Sequence, residues 1–161
     1  MKAVGARPRQ GFTLVELLVT ATILALLAGG AVSLAELAAK RGKEQELRIA
    51  LRQIREAIDL YKQAADGKQI ARAADESGYP HSLQELVAGV PIEGDARGGK
   101  LYFLRRLPRD PMAKSSLPAA ETWGLRSFDS GPDDPRPGRD IYDVHSLSSD
   151  QALDGRPYRQ W

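Results

Sequence analysis

The sequence predicts an α+β chain: one long N-terminal helix crosses a membrane in its first part and packs on a small sheet in its second. Three observations lead there. Residues 17–35 carry no charged side chain. Leu47, Leu51, Ile54, Ile58, Tyr61 and Ala65 then recur at alternating four- and three-residue spacing, which places them on one helical face. Further on, three runs of strand character, 101–107, 122–129 and 140–146, lie between loops dense in proline, glycine and aspartate.

Each element has a physical basis. The start is basic, with Lys2, Arg7 and Arg9 and no acid before Glu16. The 19 uncharged residues 17–35 span ~28 Å as a helix, about one hydrocarbon core. Basic residues before that stretch and a polar domain after it put the N-terminus in the cytoplasm and the remainder outside. A cleaved secretory signal would share the basic start, and Ala31-Val32-Ser33-Leu34-Ala35 is a small-residue site for it, but its apolar region is usually shorter, roughly 7–15 residues. A plain anchor explains everything except Glu16, because a carboxylate near the start of an apolar helix costs a few kcal/mol unless paired.

No proline falls between Phe12 and Ala65, so one helix is expected to run through, with Gly29-Gly30 and Gly42 its only interior weak points. Glu44, Arg48, Arg52, Glu56 and Lys62 fall off the apolar stripe, with Glu44 and Arg48 a favourable four-residue pair. A coiled-coil partner would also use the stripe, but only about three heptads are available, so docking on a local sheet is preferred. Asp66-Gly67 closes the helix. Ser82-Leu83-Gln84-Glu85 reads as a capping box opening a short helix that stops near Gly89.

Composition narrows the function. The 161 residues hold 23 basic and 21 acidic side chains and no cysteine. A surplus of two charges is too thin for a nucleic-acid footprint, and it resides in the first eleven residues. From residue 36 onward the basic and acidic groups balance. The missing cysteines exclude a disulfide scaffold, thiolate zinc sites, iron–sulfur ligation and a thiol nucleophile.

The segment Arg9-Gln10-Gly11-Phe12-Thr13-Leu14-Val15-Glu16-Leu17 resembles the processing site of type IV pilins and type II secretion pseudopilins. The resemblance implies that a membrane-embedded prepilin peptidase cuts between Gly11 and Phe12. It implies N-methylation of Phe12, and an assembly role for Glu16 at the fifth position of the mature chain. The chemistry is coherent. A glycine before the cut lets extended backbone enter a narrow cleft. The cut creates a charged amine at Phe12, which Glu16 of a neighbouring subunit can neutralise while fixing axial register. Tyr79-Pro80, Leu107-Pro108-Arg109-Asp110-Pro111, Trp123-Gly124, Asp140-Ile141-Tyr142 and Trp161 follow in order the landmarks of protein G-like major pseudopilins. That resemblance implies a long helix on a small antiparallel sheet. It divides the chain into a leader, 1–11, a transmembrane and assembly helix, 12–35, and a periplasmic domain, 36–161. The partners it implies are copies of the chain, other pseudopilins, the prepilin peptidase and an inner-membrane secretion platform, with the chain a single-pass inner-membrane protein. A minor type IV pilin and a soluble periplasmic domain released by signal peptidase are the alternatives.

The family's C-terminal loop commonly holds calcium. Here only Asp150 and Asp154, with Asp143 upstream, are available, which is sparse against the roughly six to eight oxygens calcium takes; no cofactor is expected. His81 and His145 share no carboxylate pattern and read as surface or satisfied residues. Residues 104–109 form a small basic patch, solvated or subunit-pairing, and Asp133-Asp134 a polar loop. No activated-serine motif is present, and no enzyme is expected.

Overall fold

The structure, a computed structural model, describes residues 12–114 and 116–161, with the backbone alone at residues 30–33. The leader and Gly11 lie outside the described residues. The chain divides into two units, Met1–Lys40 and Arg41–Trp161. Helix α1, Leu14–Asp66, supplies the described helical part of the first and opens the second; both glycines at 29–30 lie within it.

In the first unit Thr13 starts the helix. Its carbonyl accepts the Leu17 N–H at 3.1 Å as the first helical bond, and its hydroxyl accepts the Glu16 N–H at 3.2 Å, so one of the donors a helix start leaves open is satisfied. Thr20 and Thr22 donate their hydroxyls to the carbonyls of Leu17 and Leu18, at 3.0 and 2.8 Å, which leaves neither hydroxyl seeking a partner from an apolar surrounding. Phe12, Leu14, Val15, Leu17, Leu18, Ile23, Leu24, Leu26 and Leu27 are all exposed. This helix is long and apolar enough to cross a membrane.

The second unit is built on the rest of α1. All six stripe residues are buried, and Ala50, Ala57 and Ala64 widen the stripe. The cluster they form includes Ile70, Leu83, Leu86, Trp123, Ile141, Val144, Ala152 and Tyr158. The helix ends as expected at Asp66, but the left-handed residue is Lys68 (φ 56°) rather than glycine. The Gln69 N–H reaches the Ala64 carbonyl at 2.9 Å, the closure of a Schellman motif.

The sheet is smaller than the strand candidates suggest. It consists of two antiparallel pairs: β1 (Val90–Pro91) with β2 (Lys100–Leu101), and β3 (Trp123–Arg126) with β4 (Asp143–Ser146), where Trp123 faces Ser146 and Arg126 faces Asp143. The run 101–107 is a strand only at Leu101, because the N–H groups of Phe103 and Leu104 both turn to the Leu86 carbonyl, at 3.1 and 2.8 Å. The run 122–129 is shortened at both ends. Thr122 closes a 3-10 turn, Ala119–Thr122, with its hydroxyl on the Ala119 carbonyl. At the other end the Ser127 N–H bonds to the Arg136 carbonyl. The run 140–146 is a strand only from Asp143, since Ile141 donates to Pro80 and the Asp140 side chain closes a loop. Helix α2 is Glu85–Ala88 and stops at Gly89, but no side chain caps it from Ser82. The Glu85 carboxylate instead accepts the His81 N–H at 3.1 Å and the Tyr61 hydroxyl at 3.3 Å.

Candidate processing and assembly site

Phe12 and Thr13 precede α1, so the backbone leaving residue 11 has not entered a helix, and Phe12 is 74% exposed. Glu16 follows one turn later as the third helical residue and is also exposed. Local geometry accounts for part of its placement in a way the sequence reading missed. Thr13-Leu14-Val15-Glu16 has the spacing of a helix-start signature, and a carboxylate in the first turn faces the positive end of the helix dipole. The signal was present in the sequence but concealed by the apolar run around it. Exposed apolar side chains with one carboxylate among them can bury themselves only against lipid or other helices, and the carboxylate then calls for a cation.

The second unit contains its own polar constellation, and one member, Glu44, is buried where a solvated residue was expected. Glu44 and Arg48 do not form the solvated pair their spacing suggests. Glu44 is 8% exposed and takes the Leu153 N–H at 2.8 Å and the Tyr158 hydroxyl at 3.0 Å on one carboxylate oxygen. The Arg48 guanidinium lies 4.4 Å from the centre of the Trp161 ring, within cation–π range. About two turns further along, Arg55 donates through Nε to Asp143 at 2.7 Å. Its Nη2 donates to the backbone oxygens of Val144 and Trp161, at 3.0 and 2.8 Å. These partners lie between 88 and 114 residues apart in sequence, so helical spacing carries no trace of them.

Of the three aspartates named for calcium, Asp143 is thus held by Arg55, and Asp154 accepts both Nε and Nη2 of Arg156 at 2.9 and 2.8 Å. Among the described residues no group of three or more histidine, cysteine or acidic side chains is placed to hold a metal ion.

His81 sits between Glu76 and Glu85, at 3.4 and 3.8 Å. His145 faces Gly124 across the β3–β4 pair; burial pushes its imidazole below the usual range, and Arg55 adds to that against the pull of Asp143. In the basic patch Arg105 and Arg106 are exposed, whereas Arg109 bonds the carbonyls of Lys114 and Leu117. Asp134 pairs with Arg136 at 2.5 Å. Asp140, read from sequence as part of a strand and as one of the pseudopilin landmarks, gathers the Ser77 hydroxyl at 2.5 Å, the Ser127 hydroxyl at 2.9 Å and the Phe128 N–H at 2.9 Å. Burial raises its carboxyl, and these hydrogen bonds outweigh burial and hold it below the usual range.

The prokaryotic N-terminal methylation motif matches residues 6–32. The match spans the helix start and most of the apolar stretch and supports a type IV pilin-like protein. Such a protein is processed by a prepilin peptidase, assembles with pilin-like subunits and serves as a structural subunit rather than an enzyme. The apolar helix and the motif together point to membrane anchoring. No curated protein and no solved structure matches the chain.

Proposed function

We propose that this chain is a pseudopilin of a type II secretion system, a structural subunit of a short periplasmic filament. The observation that carries the reading is the methylation motif over residues 6–32, placed on an exposed apolar helix that begins two residues after the proposed cut. In this reading the Gly11–Phe12 peptide bond is hydrolysed by the prepilin peptidase, residues 1–11 leave, and the new amine of Phe12 is methylated. Residues 12–35 span the inner membrane, and residues 36–161 form the periplasmic domain. The Phe12 amine of one subunit and the Glu16 carboxylate of its neighbour neutralise each other inside the bilayer. That removes the few kcal/mol each isolated charge would cost and selects one axial register. Growth of the rod from an inner-membrane platform, with other pseudopilins, pushes folded cargo outward.

Mass spectrometry of the mature chain tests the reading. It expects a first residue of N-methylphenylalanine at position 12; a mature chain starting near residue 36 refutes it. Deleting the gene and assaying export and pilus formation separately then tells secretion from piliation: lost export with intact pili is the expected pattern.

A further inference from the structure

The resemblance to protein G-like pseudopilins implies a calcium ion in the C-terminal region, and the side chains found there do another thing. A calcium ion in such a loop collects hard oxygens, carboxylate and carbonyl, from separate chain segments. Arg55 already collects that set: one carboxylate oxygen of Asp143, the carbonyl of Val144 and the backbone oxygen of Trp161, within 2.7–3.0 Å. The guanidinium fork is suited to this, since it presents several fixed N–H donors from one planar cation. Asp143 also takes the Val144 N–H at 2.8 Å, and both oxygens of Asp154 accept from Arg156. A divalent ion entering here would have to displace two arginines and would sit beside the cations it displaced. Glu44 and Arg48 fasten the same segment on either side of Tyr158 and Trp161, whose rings meet edge to face at 5.3 Å.

We infer that Arg55 is the fixed cation of this fold, joining β4 to the last residues, and that residues 41–161 fold and stay folded without a divalent ion. The inference concerns that unit alone, so an unexpected mature N-terminus would leave it standing.

The test is thermal unfolding of the full chain in detergent micelles, followed by tryptophan fluorescence, in excess calcium chloride and in excess EGTA. Trp123 and Trp161 are the two tryptophans, and Trp161 reports on the fastening directly. The midpoint is expected to agree within about 1 °C between the two conditions, whereas a filled calcium site would raise it by on the order of 10 °C. Arg55→Ala is expected to lower the midpoint by about 5 °C or more in both conditions. A calcium-dependent rise in the unmodified chain overturns the inference, and so does an Arg55→Ala chain that melts with it. If Arg55→Ala does not accumulate, Arg55→Lys carries the same test. Its single ammonium cannot reach all three oxygens, so a fall of a few degrees is expected and an unchanged midpoint overturns the inference.

Discussion

Glu44 offers the sharpest perturbation, because an exposed helical carboxylate and a buried acceptor respond oppositely to substitution. Replacing it with alanine leaves two donors without a partner: the Leu153 N–H, now at 2.8 Å, and the Tyr158 hydroxyl, now at 3.0 Å. Tyr158 is only 1% exposed, so water reaches its hydroxyl poorly. Each orphaned buried donor costs about 1–3 kcal/mol. Removing the buried charge itself returns part of that, which leaves roughly 2–4 kcal/mol for Glu44→Ala. Glu44→Gln keeps an oxygen acceptor and loses only the charge assistance, about 1 kcal/mol. Urea unfolding of the full chain in micelles, followed by tryptophan fluorescence, measures both. A double-mutant cycle with Tyr158→Phe isolates the hydroxyl bond, with an expected coupling of about 1 kcal/mol. A Glu44→Ala chain within about 0.5 kcal/mol of the unmodified protein, the range of ordinary surface changes, would refute the reasoning. So would a glutamine variant as damaged as the alanine one.

Gly124→Ala is expected to lose about 1–3 kcal/mol through overpacking, because a Cβ there would come within 2.6 and 2.7 Å of carbons of the His145 ring. Adding His145→Ala should recover most of that loss, and denaturant unfolding that shows simple additivity would count against the contact. At alkaline pH, burial, reinforced by Glu85 and Glu44 respectively, pushes the hydroxyls of Tyr61 and Tyr158 up to about 12. The folded chain therefore keeps protons that the unfolded chain releases above about pH 10, so stability is intact below that pH and declines between about 10 and 12. A melting midpoint that stays flat across that window contradicts it. Glu16→Ala should leave processing and methylation of the mature chain intact and abolish filament formation; normal filaments by electron microscopy would remove Glu16 from assembly.

Legibility followed the range of the interaction. The length of α1, its apolar stripe and its end near Asp66 were readable because helical spacing is a local property of three or four residues. Pro-Gly-Asp punctuation likewise located the loops around the strands. Strand lengths were not readable. Residues 101–107 have strand composition, yet two N–H groups aimed at the Leu86 carbonyl end the strand after Leu101, and that carbonyl's position is a tertiary fact. The resemblance at residues 9–17 rests on contiguous residues and needs no fold to be seen, whereas the cap that Thr13 provides to the Glu16 N–H is a finding of the structure.

What the sequence determined by itself is the long apolar helix and the methylation motif at its start, because hydrophobic length and contiguous spacing are local properties of a chain whatever it later folds into. Only the tertiary structure decided what the charged residues of the second part of α1 are for. Glu44 and Arg48 look from sequence like a solvated pair, and Arg55 carries no local signal at all. In the fold, residues 143–161 lie along them, and their charges become the buried acceptor, the ring contact and the fixed cation that secure that segment. Partners 88 to 114 residues away leave no periodicity, so their choice could be read only after the chain had closed.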